Sequence, residues 1–355
     1  MNRLVVTACA VVMGAIVSGG TVVAQQASAI IPQELGLAAL GPDGRFYATD
    51  CPGAAVFRLD PDGPVVVAGT GVAGYAGDGG SATEARLSCP IALAFDARGM
   101  FIVDHANNRI RLVDPSGRIS TFAGNGPTGF GQAVLAGDGG PATEARFQEP
   151  TAIAIDPHGV IYISDRDNNA VRRIDEAGII TTIAGGGGRD GYGGDGGLAV
   201  DASLDDPAGI AFDASGGVLF ADSNNDRIRR VDPAGLITTV AGSGASGFSG
   251  DEGSATLAAL GDPESIAIDS VGNLYIADVE NYRIRRVTPY GTITTFAGTG
   301  SARVTGDGGP ATQAALGGPG MVLMGPDDVL TFWSYVAGCL RSIGPDGIIH
   351  TDWCL

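Results

Sequence analysis

Pro263-Glu-Ser-Ile-Ala-Ile-Asp269, Gly272-Asn-Leu-Tyr-Ile-Ala-Asp278, Arg283-Ile-Arg-Arg-Val287 and Gly291-Thr-Ile-Thr-Thr-Phe-Ala-Gly298 are four short runs rich in β-branched and aromatic residues, each bounded by Asp, Pro or Gly. Such runs read as four antiparallel strands. The unit recurs: Pro90, Pro150, Pro207, Pro263 and Pro319 open copies spaced 60, 57, 56 and 56 residues apart. A degenerate copy before Pro90 and the last one after Pro319 bring the total to six. Repetition at this period marks a repeat architecture rather than separate globules. Six four-stranded sheets set radially give an all-β, six-bladed β-propeller, an arrangement that leaves no long unprotected edges.

Within each copy the first run alternates large and small residues, as in Ala92 to Phe95 and Ala152 to Ile155. Period-two alternation gives a strand two different faces, and small residues suit a strand crowded toward a central axis. Because successive strands are antiparallel, the loop entering the first strand and the turn joining the second to the third share one face. That face is expected to carry the long Gly-rich loops, and the other only tight turns such as Asp175-Glu-Ala-Gly178. Binding concentrates on loops held by rigid scaffolds, so the long-loop face is the functional candidate.

Ahead of the repeats, Met1-Asn2-Arg3 precedes an apolar run from Leu4 to Val17 and small residues up to Ala24. This reads as a signal peptide over residues 1–24, a segment over 25–33 and the propeller over 34–355. The apolar run is short for a membrane span. The destination is therefore secreted or periplasmic. Formal net charge is −18, and all 21 basic residues are Arg; losing residues 1–24 removes Arg3 and no acid, giving −19. An acidic surface argues against nucleic acid or an anionic membrane as partner. Four cysteines remain, an even number that in an exported chain suggests two disulfides. Cys51 and Cys89 fall on one face of neighbouring blades, and Cys339 and Cys354 fall nearly opposite across the last turn. These are the expected pairs; the competing connectivity links Cys51 to Cys339 or Cys354.

Five loops carry Gly-Asp-Gly-Gly or its variant, with Asp78, Asp138, Asp195, Asp251 and Asp307 at the acidic position. Glycines allow positive φ and Asp closes turns, so these are expected to be scaffold, each followed by a plug residue between blades: Leu87, Phe147, Leu204, Leu260 or Leu316. Arg-rich third strands are expected to pair with the Asp that ends each second strand. Asn107, Asn168, Asn225 and Asn281 are expected to adopt left-handed backbone in the intervening turn.

Asn273-Leu-Tyr-Ile-Ala-Asp278 with Asn281, the Arg283 to Val287 strand and Gly306-Asp-Gly-Gly-Pro-Ala-Thr312 resemble the NHL repeat, in the variant found in bacterial exported proteins and the teneurin propeller. The resemblance covers about Leu35 to the C-terminus. It implies a propeller whose relatives include protein-binding domains, extracellular sensors and, more distantly, lactonases and lyases.

A single site on a pseudo-symmetric ring must use residues that depart from the repeat. Immediately before the blade-opening Pro stand Cys89, Glu149, Asp206, Asp262 and Gly318, with Glu34 aligned in the first blade. Glu34, Glu149, Asp206 and Asp262 would ring the channel mouth, with Ca²⁺ as the natural counter-ion. Gluconolactonase-type propellers are similar in placing a metal-ligating Glu there. His105, Arg166, Asp167, Tyr192, Phe248, Glu280, Tyr282, Arg303, Trp333 and Tyr335 are the further irregular positions, and aromatics and Arg are typical interface anchors. The leading reading is a non-enzymatic, monomeric binding propeller for a protein, peptide or glycan. The alternative is a Ca²⁺-dependent lactonase- or lyase-like enzyme.

Overall fold

The computed structural model describes residues 35–126, 135–187 and 190–354. The segment over 1–34, including the expected signal peptide and Glu34, lies outside the described residues. Six four-stranded antiparallel sheets are present, each built from consecutive strands. Their innermost strands are Leu35–Leu40, Pro90–Asp96, Pro150–Ile155, Pro207–Phe212, Pro263–Ile268 and Pro319–Met324. We number the blades 1 to 6 in that order. Innermost strands neighbour one another in chain order, and blade 6 returns to blade 1. Blade 6 carries its own outer strand, Ile349–Cys354, as the sequence leads one to expect. A two-stranded ribbon, Val304–Thr305 with Ala315–Leu316, adorns the last loop. No α-helix occurs among the described residues.

Second strands such as Ile161–Asp165 and Leu274–Asp278 are buried at every position, because neighbouring blades cover both faces. The interstices are filled by Leu87, Phe147, Leu204, Leu260 and Leu316, each fully buried. Leu260, for example, packs with Ile228 and Ala241 of blade 4 and Ile276 and Ile293 of blade 5. The plug reading of these residues is therefore correct.

The loops that carry them run elsewhere than expected. Instead of standing on the long-loop face, each Gly-Asp-Gly-Gly segment folds down the perimeter alongside the outer strand of the next blade. The Gly139 N–H donates to the Ile180 carbonyl at 2.8 Å and the Ala142 N–H to the Gly178 carbonyl at 2.8 Å, reaching the tight-turn end. Unsatisfied backbone groups in so long a loop would be costly, and this path pairs them. The first glycine is required twice over: Gly194 has φ +90°, and a Cβ there would sit 2.7 Å from the Ala202 Cα.

An Arg–Asp lattice ties loop to blade. Arg111, Arg172, Arg229, Arg285 and Arg341 are fully buried. Arg229 places Nη1 2.9 Å from Asp222 at the end of the second strand and Nη2 2.7 Å from Asp195 in the descending loop. Arg111, Arg172 and Arg285 repeat both contacts, and Arg341 pairs with Asp307. Each of these arginines follows a register shift against the outer strand, for example between Ile228 and Arg229; bulges commonly re-aim side chains in this way.

The turn asparagines behave differently from the sequence reading. Positive φ falls one residue later, at Asn108, Asn169, Asp226 and Tyr282. Asn107, Asn168, Asn225 and Asn281 instead donate side-chain N–H groups to Asp104, Asp165, Asp222 and Asp278 at 2.7–2.9 Å. Cys51–Cys89 and Cys339–Cys354 are the disulfides, as the face assignment implies, and the latter joins residues directly opposite in adjacent strands.

Candidate functional site at the channel mouth

The residue before each blade-opening Pro adopts left-handed backbone throughout: φ is +51° at Cys89, +48° at Glu149, +60° at Asp206, +49° at Asp262 and +76° at Gly318. Such φ values are uncommon for residues with a Cβ. The preceding blade holds these corners in place. Asn108 Oδ1 accepts the Glu149 N–H at 2.8 Å, Asn169 Oδ1 the Asp206 N–H at 3.0 Å and Asp226 Oδ1 the Asp262 N–H at 3.0 Å. Between blades 1 and 2 the Cys51–Cys89 disulfide takes that role.

One residue beyond the Pro, the innermost strands of blades 2, 3, 5 and 6 carry a bulge against their second strands. Ile91, Thr151, Glu264 and Gly320 occupy this slot, so an acid stands where the other blades use apolar, small or hydroxyl residues. Glu264 Oε2 accepts a 3.1 Å hydrogen bond from the Tyr335 hydroxyl of blade 6. That ring lies over Gly320, where a Cβ would collide with it; only glycine leaves room for the strut between blades 5 and 6. Burial, with the negative charge of Asp262 beside it, raises the Glu264 carboxyl to about 7. Burial likewise pushes up Asp206 and Asp262, the latter also facing the charges of Asp206, Glu280 and Asp226. The cation in their midst is Arg166, whose Nε lies 2.5 Å from Asp206. Titratable groups with displaced pKa values clustered at an opening mark functional candidates.

Below this rim the axis holds a cavity of about 460 Å³ lined by innermost-strand residues, among them Ile153, Ile210, Ser265, Ile266, Met321 and Met324. The lining starts directly after Glu264 and Gly320 in their strands. The cavity's exposed lining is polar and apolar in nearly equal parts.

The other sequence candidates divide. His105 joins the turns around the mouth, with Nδ1 3.0 Å from the Pro150 carbonyl of the next blade, so it fastens blades. Tyr192 and Phe248 lie on the perimeter: Tyr192 covers Arg227 at 3.6 Å and Arg229 at 4.9 Å, and Phe248 covers Arg283 and Arg285 at 3.8 and 4.7 Å. Tyr75 does the same over Arg109 and Arg111. They therefore belong to the repeat, lids held by cation–π contact. Trp333 is buried within the second strand of blade 6 and offers no surface anchor. Tyr282 takes the repeated left-handed turn position. Of the expected metal set, Glu34 lies outside the described residues, and Arg166 already neutralises Asp206. Among the described residues no group of three or more His, Cys, Asp or Glu is placed to hold a metal ion. Glu264 went unrecognised in the sequence, although the departure criterion applied one residue after the Pro singles it out.

The family model for the teneurin NHL domain matches residues 126–191 and 187–247. Mouse Teneurin-4 is 33% identical over 233 residues, 59% of this chain, and chicken Teneurin-1 is 31% identical over 252 residues, 63% of this chain. The chain spans only 8% and 9% of those two proteins. Among solved structures, virginiamycin B lyase from Staphylococcus aureus superposes with a TM-score of 0.55 at 16% identity, covering 91% of this chain and 84% of the lyase. An auxiliary nutrient binding protein from Bacteroides thetaiotaomicron gives 0.58 at 17%, covering 85% and 66%. At these identities the likeness concerns the fold alone. Repeat sequence, six four-stranded blades and teneurin-domain match agree: the chain belongs to the NHL-repeat β-propeller family.

Proposed function

We propose that this protein is an exported interaction propeller that engages a protein, peptide or glycan ligand through the mouth of its channel on the face where the chain enters each blade. One observation carries the reading. The perimeter loops are consumed by the Arg–Asp lattice, whereas the rim presents side chains that vary from blade to blade: Arg166, Asp206, Asp262, Glu264 and Tyr335. Interaction surfaces on repeat proteins are made by such variation on a constant frame. Two disulfides fit an oxidising compartment.

The test is an unbiased screen of the mature protein against peptide, glycan and protein arrays. Binders should be lost in an Asp262→Asn/Glu264→Gln/Tyr335→Phe variant and kept in a Val271→Ser/Tyr290→Ser variant of the opposite face. The reverse pattern refutes the reading.

A further inference from the structure

Five junctions between blades are filled by one rule. A large residue from the connecting loop shares a buried cluster with an alanine that ends the outer strand of the preceding blade, as Leu87 does with Ala68 and Leu260 with Ala241. The remaining three junctions repeat it. Blade 6 departs from the rule. Trp353 holds the alanine position, opposite Leu340 as Ala241 stands opposite Ile228, with the same register shift beside it. Among the described residues no loop residue takes the plug position between blades 6 and 1. Blade 1 has also lost the polar tie: Phe57, fully buried, pairs with Val66 where Arg229 pairs with Thr239. A small wall residue facing a large plug is thus exchanged for a large wall residue facing none, which keeps the volume that a close-packed junction needs. Trp353 is only half-buried, and the next residue, Cys354, is exposed. Its bridge to Cys339 is therefore open to solvent, whereas Cys51 and Cys89 are both half-buried.

We propose that Trp353 is the latch closing the ring between blades 6 and 1 and that the Cys339–Cys354 disulfide locks it, which gives the propeller a redox-sensitive seam. A small thiol of the glutathione class attacks the Cys354 sulfur as its thiolate, forms a mixed disulfide there and releases the Cys339 thiolate, which takes up a proton. A second thiol resolves the mixed disulfide. Two protein thiols and one oxidised thiol pair result, the two electrons having come from the small thiols. Without its covalent anchor the strand Ile349–Cys354 keeps only its ladder with Cys339–Ile343, and a strand at a chain end frays. The indole then leaves the junction, and nothing among the described residues replaces it. Every other junction retains its plug, and Cys51–Cys89 still joins blades 1 and 2, so opening is confined to one seam. The inference stands whatever ligand the mouth takes.

The chain supplies its own reporters. It holds two tryptophans, Trp333 and Trp353, and Trp333 is buried, so ¹⁵N indole signals separate the latch from a reference inside blade 6. The disulfide-bonded protein is titrated with reduced glutathione at about pH 8, where part of the thiol is ionised, and cysteines are mapped by alkylation and mass spectrometry. Cys339 and Cys354 should become alkylated at a glutathione concentration about fivefold or more below that needed for Cys51 and Cys89. The Trp353 signal should move over the same titration while Trp333 stays. Hydrogen exchange should quicken about tenfold or more over Ala55–Asp60 and Cys339–Ile343 and stay unchanged over Arg109–Val113 in blade 2, and reoxidation should restore both. Trp353→Ala with the disulfide intact should quicken exchange over Ala55–Asp60 in the same way, and Trp353→Phe should recover most of the protection. Protection of Ala55–Asp60 that survives reduction or Trp353→Ala overturns the proposal, because the bridge then holds a fraying strand and nothing more. Cys51–Cys89 opening first, a Trp353 signal that stays still on reduction, or exchange rising equally in all blades overturns it as well.

Discussion

Replacing Asp222 with Ala removes the buried partner of Arg229. The Asp222 carboxylate accepts Arg229 Nη1 at 2.9 Å, the Asp205 N–H at 2.8 Å and Asn225 Nδ2 at 2.9 Å, and both Asp222 and Arg229 are fully buried. Breaking a buried pair by removing one member costs about 3–5 kcal/mol, because the charge left behind has no solvent to fall back on. Asp195 touches the same guanidinium at 2.7 Å, but its side chain is 32% exposed. Water can replace that partner, so Asp195→Ala should cost less, about 1–2 kcal/mol. Removing the guanidinium as well, in Asp222→Ala/Arg229→Met, should cost less than the sum of the two single changes by about 2 kcal/mol or more, the signature of direct coupling. Urea unfolding at neutral pH with the disulfides intact measures all four variants through their midpoints at constant slope. Additive single effects, or a cost for Asp222→Ala no larger than for Asp195→Ala, would show that the lattice does not frame the ring. The perimeter loops would then be free to serve as a binding surface, against the argument that places the site at the mouth.

Burial raises Glu264 to about 7, so the folded protein holds this proton more firmly than the unfolded chain. Its contribution to stability is complete below about pH 4 and is lost as pH rises through about 7; Glu264→Gln should flatten the stability profile over that window by up to about 2–3 kcal/mol, read from urea midpoints at successive pH values. Cys339→Ser/Cys354→Ser opens a bridge with sequence separation 15 and should lower stability by about 3 kcal/mol, with amide exchange rising first over Ile349–Cys354. Leu260→Ala empties the plug between blades 4 and 5 and should cost about 2–5 kcal/mol by the same unfolding assay. Arg166 already supplies the positive charge at Asp206, so melting should be the same in Ca²⁺ and in chelator; stabilisation by Ca²⁺ that Glu149→Gln abolishes would instead bring the metal reading back.

The blades were legible because their determinants are local. Alternation along Pro263–Ile268, the Asp closing each second strand and the turn glycines act within a few residues, and the period repeats them often enough to separate pattern from accident. Both disulfides are the pairs that strand order favours over a link from Cys51 to blade 6. Legibility failed where long-range packing decides. Nothing local says that the Asp195 loop descends along Ile237 rather than rising over the face; the buried Arg229 beneath it does, and that burial exists only once blades are assembled. Tyr192 and Phe248 looked irregular when read singly, yet Gly-Tyr75-Ala-Gly-Asp, Gly-Tyr192-Gly-Gly-Asp and Gly-Phe248-Ser-Gly-Asp are one motif. Trp333 departs from the repeat, which says nothing of exposure, and the second strand that carries it is buried at every position. Glu264 was overlooked because its neighbour two residues earlier, Asp262, drew the same criterion first.

The central claim is that the functional surface is the channel mouth of blades 3 to 6. Hydrogen exchange by mass spectrometry, with and without a ligand captured from the array screen, tests it most directly. The account predicts protection concentrated in segments 164–168, 205–209, 261–266 and 333–336, with no change in the tight turns at 269–273 and 288–291. Protection confined to those turns, or to the perimeter loops around Tyr192 and Phe248, would contradict it.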